Sequence, residues 1–283
     1  LGDDWINNRE FVFDGETVVG YEAGVQRLYE NARGLGWTDD GLEFPGTINQ
    51  DRRATIILGP PAAGKSTFAN RFARARNAAI IDPDEAKKVL PEYGDGIGAN
   101  AVHAESSEIA DAVLEMALVN GDNVVIPRTG GKLETVAEIF EQLELMGYEI
   151  DLVLMDVSID NAHKRMIGRF IDKGRLINPQ VIYDIGDNPQ ITYNALKGRA
   201  KRHGEIDNNG APDAPFPTRD TSADNPFTGV ELRLRDAATG VVEALDSEVT
   251  GAGQQTLVPG VEPVTDAQRA QLEVDRPLRG GDA

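Results

Sequence analysis

Two short stretches carry residues whose types and spacing suit them to chemistry. Gly59-Pro60-Pro61-Ala62-Ala63-Gly64-Lys65-Ser66 fits the pattern G-x-x-x-x-G-K-[ST] in full. Small residues let backbone N–H groups curl round a phosphate, and the helix that follows adds partial positive charge at its N-terminus. Lys65 is placed to reach β- and γ-phosphates, and the Ser66 hydroxyl to hold Mg²⁺. The candidate nucleotide site is therefore Gly59, Pro60, Ala62, Ala63, Gly64, Lys65, Ser66 and Thr67, with ATP or GTP and Mg²⁺ as the implied ligands. Further on, Asp82-Pro83-Asp84-Glu85 sets two carboxylates two residues apart. Asp82 is a good N-cap and Pro83 a good first helical residue. As a first-turn acid, Asp84 gains only the weak helix-dipole term. As a general base beside a γ-phosphate, it would take the proton of an attacking hydroxyl.

The elements around these stretches must hold them at one sheet edge. From Ala54 the chain alternates short apolar runs with amphipathic ones. "ATIIL", "AAII", "NVVI" and "IDLVLMDV" read as strands, and residues 65–76, 104–119 and 133–146 as helices. Such alternation predicts an α/β fold, a P-loop NTPase-type parallel sheet with helices on both faces. The Gly-, Pro- and Asp-rich stretch after His203 reads as a linker. "GVELRLRDAATGVVEALD" then reads as a C-terminal β-hairpin, ahead of an irregular tail. The expected organisation is an N-terminal helical extension and linker over 1–50, a kinase-like core over 51–204, and linker, hairpin and tail over 205–283.

Bulk properties narrow the partners. A net charge of −19 repels phosphate backbones and argues against nucleic acid, though a local basic pocket can still take a small anion. The absence of cysteine excludes disulfides, Cys-ligated zinc and a thiol nucleophile. No apolar run reaches the roughly 18 residues of a membrane helix. The expected setting is cytoplasmic, with the non-Met start suggesting a piece of a longer, delivered protein.

The ordered set "GPPAAGKST", "IIDPDEAKK", "VHAESS", "GDNVVIPRTGG", "MIGRF" and "GRLINPQVIYD" resembles the zeta toxin family of P-loop kinases over roughly residues 54–200. The resemblance implies transfer of a γ-phosphoryl group to a sugar hydroxyl of UDP-N-acetylglucosamine, and an antitoxin or parent polypeptide as partner. It places Asp84 on the catalytic base, Asp111 on a helical acid that contacts the sugar, and Thr129 on a substrate-binding threonine. Arg169 and Arg175 fall on two arginines that clamp the phosphate in flight. Apart from the resemblance, His103 and Glu105 at the head of the same helix are further candidates for acceptor contact. The family carries an acid two positions before the threonine and an Arg two positions after it. Here those positions are Pro127 and Gly131, with Arg128 or Lys132 available to replace the lost Arg. The departures keep other readings open: a kinase of NAD or another nucleotide-type molecule, a 5′-hydroxyl polynucleotide kinase, or a non-catalytic nucleotide switch.

The same residues have plainer readings. Arg169 lies in a cation-rich helix, Asp111 can be a solvated helix acid, Thr129 can shape a turn, and His103 can cap or pack.

Overall fold

In a computed structural model, residues 4–34, 47–173, 180–209, 218–219, 233–236 and 242–244 are described, without the side chains at 4, 5, 71, 75, 95 and 169–173 and in the last three segments. The alternating rhythm builds a sheet whose middle is parallel. Its strands are β3 (Arg53–Leu58), β4 (Ala79–Ile80), β5 (Val124–Arg128), β6 (Glu149–Asp156) and β7 (Arg202–Asp207), in the order β4-β5-β3-β6-β7. β8 (Thr218–Arg219) and β9 (Arg233–Asp236) pair antiparallel with β7, and β10 (Val242–Ala244) pairs antiparallel with β9. β9 and β10 fall within the expected hairpin; the tail beyond it lies outside the described residues.

The apolar run of β3 is buried on both faces, as a central parallel strand requires. Ile56 and Leu58 point into one core with α5 (His103–Asn120), α6 (Leu133–Leu145) and α9 (Asn188–Leu196). Ile57 points into the other, with Phe68 and Phe72 of α3 (Lys65–Arg76) and Ala162 and Met166 of α7 (Ile159–Lys173). The period of two along the strand thus assigns helices to both faces.

β7 corrects the sequence reading, which placed a linker from His203 onward. Its sequence RHGEID sets Gly204 and charged residues around a single aliphatic side chain, Ile206, so no apolar run announces it. It holds its place by pairing along six residues of β6 and by the Arg202–Asp151 ion pair, Nε to Oδ1 2.7 Å.

The N-terminal segment holds the expected helix, α2 (Tyr21–Gly34), after α1 (Asp4–Asn8) and an antiparallel hairpin of β1 (Glu10–Phe13) and β2 (Glu16–Val19). Asp14 and Gly15 both take positive φ in its turn, the geometry that suits a two-residue hairpin. Phe11, Val25, Leu28 and Tyr29 join the same core as Ile56. Tyr29 donates to the buried Asp122 (2.7 Å), and Arg33 pairs with it at 3.0 Å, so α2 is pinned below the sheet. Among the described residues, no helix is long and apolar enough to cross a membrane.

Candidate active site

The C-terminal edges of β3, β4 and β5 carry the residues singled out above. β3 ends at Leu58 and the chain turns at Gly59. A Cβ there would lie 2.9 Å from the Met155 carbonyl oxygen, so only glycine lets the loop leave between β3 and β6. Ala63 N–H donates to the Pro60 carbonyl (3.2 Å) and closes the loop. Gly64, at φ 88°, is the N-cap of α3 and makes no side-chain cap, which leaves the first helical N–H groups facing the loop mouth. The Lys65 Nζ donates to the carbonyls of Gly59 (2.7 Å) and Pro60 (2.9 Å), arched over the same mouth. Ser66 and Thr67 are exposed beside it. A loop with small residues, a helix N-terminus and an ammonium at its lip fits a nucleotide's phosphates.

Asn208, just past β7, was invisible to sequence reasoning. Its Nδ2 donates to the Ala63 carbonyl (2.8 Å) and its backbone N–H to the Asp156 carbonyl (2.8 Å). The phosphate loop is thereby latched to the ends of β6 and β7.

At the end of β4, Asp82 caps α4 (Pro83–Lys88), accepting from Asp84 N–H at 2.9 Å. Burial first, and then the neighbouring Asp84, pushes the Asp82 carboxyl up, while Arg128 and Lys65 pull it down. Asp84 is half-buried and accepts from Lys87 Nζ at 3.0 Å. Lys87 is a buried cation one turn along α4 that the sequence reading passed over. Its charge and the burial of the ring hold the His103 pKa below the usual imidazole value, burial being the larger cause; Asp84 acts in the opposite direction.

At the end of β5, Arg128 NH1 donates to the Ile81 carbonyl (3.1 Å) and the Pro127 carbonyl (3.0 Å). Its NH2 donates to Asp111 Oδ1 (3.3 Å) on α5. Asp111 and Arg128, two of the predicted acceptor residues, are thus brought together. Thr129 is exposed, and its Oγ1 accepts from Gly131 N–H at 3.4 Å, the turn-forming arrangement. Glu105 is elsewhere: its carboxylate is taken up by Arg9 of the N-terminal segment, which also holds Glu92 of the 3₁₀ turn Pro91–Gly96. The carboxylate expected to contact the acceptor thus has Arg9 as its partner in this structure. The Arg169 side chain and Arg175 lie outside the described residues.

A parallel sheet in this order, whose central strand feeds a phosphate loop, is the framework of the P-loop kinases, and the chain is of that class by fold. The family model described as zeta toxin matches residues 46–210, more than half of the chain; the protein belongs to the zeta toxin family. Two solved structures share the fold. One, from the PezAT chromosomal toxin–antitoxin system of Streptococcus pneumoniae, aligns with TM-score 0.50 at 16% identity over 66% of this chain and 76% of that one. The other, AvrRxo1-ORF1:-ORF2 with ATP, aligns with TM-score 0.51 at 14% identity over 89% of this chain and 78% of that one. A shikimate kinase of Corynebacterium efficiens is 36% identical over 122 residues, 41% of this chain. The match spans 66% of that enzyme, just under two thirds of its length.

Proposed function

We propose that this protein is a kinase that transfers the γ-phosphoryl group of ATP to a hydroxyl of a small, nucleotide-type acceptor. The convergence of three strand ends carries the inference: β3, which feeds the phosphate loop, and β4, which leads to Asp82 and Asp84, both pair with β5, whose Arg128 donates to the Ile81 carbonyl at 3.1 Å. The phosphates occupy the loop 59–67, with Lys65 released from the Gly59 and Pro60 carbonyls to the β- and γ-phosphates. Ser66 would hold Mg²⁺, which supplies charge neutralisation between those phosphates. Asp84, oriented by Lys87, accepts the proton as the acceptor oxygen bonds to the γ-phosphorus and the bond to ADP breaks. Arg169 and Arg175 take the clamp by their place in the family motif. Asp111, Arg128, Thr129 and His103 line the acceptor side.

UDP-N-acetylglucosamine is the first acceptor to test, by family relation. A different nucleotide-type acceptor such as NAD is favoured by one observation. Pro127 is buried in the strand and Gly131 has no side chain, so the wall is built by Arg128 and Asp111 instead. An antitoxin-type protein is included among the partners on the family relation alone.

The test is product identification. Protein and a Lys65→Ala control are incubated with Mg²⁺-ATP and a panel of UDP-sugars, NAD, nucleosides and 5′-hydroxyl oligonucleotides, and products are read by mass spectrometry. The gain of one phosphate on UDP-N-acetylglucosamine, absent from the control, is the expected result. A gain on another compound replaces the acceptor. No product anywhere, with ATP still bound, overturns the kinase reading in favour of a nucleotide switch.

A further inference from the structure

We infer that Arg128 selects the acceptor by binding an anionic group, a phosphate or carboxylate, that the acceptor carries close to its reactive hydroxyl. The inference rests on the kinase reading and names the chemistry its acceptor must have.

Among the described residues, three largely buried arginines can be compared. Arg202 is held by both oxygens of the buried Asp151. Arg9 is gripped by two carboxylates, those of Glu92 and Glu105. Both are fully committed to holding the fold. The Arg128 side chain is equally enclosed, 12% exposed, yet its one carboxylate contact is single and long, 3.3 Å, to a side chain 64% exposed. A tight guanidinium–carboxylate contact is about 2.7–2.9 Å and commonly two-pronged. The Asp111 contact is therefore weak and exchangeable; Asp82 acts on the guanidinium only through space, so NH2 still gains from a direct, well-aligned anionic partner.

The rest of Arg128 is rigid. NH1 is fixed by the Ile81 and Pro127 carbonyls at the ends of β4 and β5. The guanidinium plane is thereby set, with NH2 left toward Asp111. Ile81 immediately precedes the Asp82-Pro83-Asp84 turn, so NH1 ties the guanidinium to the backbone that leads into the turn of the proposed base. A preset NH2 donor next to that turn favours an acceptor whose charge and hydroxyl are near neighbours. Neither Pro127 nor Gly131 offers another charge on this strand end.

The test reads binding rather than turnover. The phosphate loop is first filled with a non-hydrolysable ATP analogue and Mg²⁺, so that no added phosphate can enter it. N-acetylglucosamine 1-phosphate and glucuronate are then titrated by calorimetry against their neutral counterparts, N-acetylglucosamine and glucose. At least one charged sugar should bind about ten- to a hundredfold tighter than its neutral counterpart. Which one does so distinguishes phosphate from carboxylate. Arg128→Gln should collapse that ratio toward one, and Arg128→Lys should retain part of it. Binding of the ATP analogue reports that each variant is folded. A charged-over-neutral ratio of one in the wild type, or a ratio that survives in Arg128→Gln, overturns the assignment. A charge preference that depends on Arg128, with no phosphorylated product in the acceptor panel, keeps the anion site and removes the kinase reading.

Discussion

Replacing Arg9 with methionine isolates the contact that fastens the N-terminal segment to α5 and the 3₁₀ turn Pro91–Gly96. Arg9 is 8% exposed and reaches Glu92 through NH1 (2.8 Å) and NH2 (2.7 Å), and Glu105 through Nε and NH2 (3.1 Å). Methionine keeps most of the apolar stem and removes the charge. The Glu92 side chain is 55% exposed, so solvent screening limits that half of the triad to at most about 1 kcal/mol. The Glu105 side chain is 24% exposed, and without Arg9 it is left partly enclosed and unpaired, at a cost of about 2–3 kcal/mol. The expected loss is therefore about 2–4 kcal/mol in urea unfolding at neutral pH, seen as a lower midpoint with unchanged slope. The sign with pH follows from Glu92, which the Arg9 hydrogen bond holds below the usual carboxylate range. Its contribution is whole above the unfolded-state pKa of about 4.3 and is lost as pH falls through the lower folded value, so wild type and variant should converge on acidification. Adding Glu105→Gln to Arg9→Met should recover part of the loss, because no unpaired charge remains. A change within about 0.5 kcal/mol at neutral pH, or a gap that does not narrow with acid, would refute the reasoning.

The remaining predictions concern the site. Asp84→Asn should bind ATP as the wild type does and lose about 10²–10⁴-fold in transfer rate, measured by single-turnover kinetics on the acceptor identified; full activity would remove the base assignment. Asn208→Ala should leave the Ala63 carbonyl without its buried donor and weaken ATP binding by about 1–3 kcal/mol, read by calorimetry; unchanged affinity would show that the latch does not shape the loop. Asp82→Ala should lower thermal stability by about 1 kcal/mol through the lost cap, and Asp82→Asn by less, since Asn also caps.

Much of this was legible because it is local. The phosphate loop, the Asp82-Pro83 helix start and the apolar runs of β3, β5 and β6 each depend on neighbouring residues whose conformations the residue types themselves restrict. The Asp14-Gly15 hairpin turn was equally local, though its strands are short and only one face is buried, so the signal is faint beside the helix that follows. β7 left no signal at all. Its stability comes from partners on β6 and β9, and a strand with a glycine and several charges reads as a loop until those partners are known.

The sequence by itself determined the nucleotide cradle, the acidic turn and the alternation that requires a parallel sheet, because backbone geometry, capping and burial period act over a few residues. Tertiary structure alone decided which charges meet. Arg9 pairs with Glu105, Arg128 finds Asp111, and Asn208 reaches from the end of β7 to the phosphate loop. Each of these contacts joins residues well separated along the chain. For those pairs only the packing of strands and helices creates the proximity, and electrostatic and hydrogen-bond energies depend on that proximity rather than on sequence order.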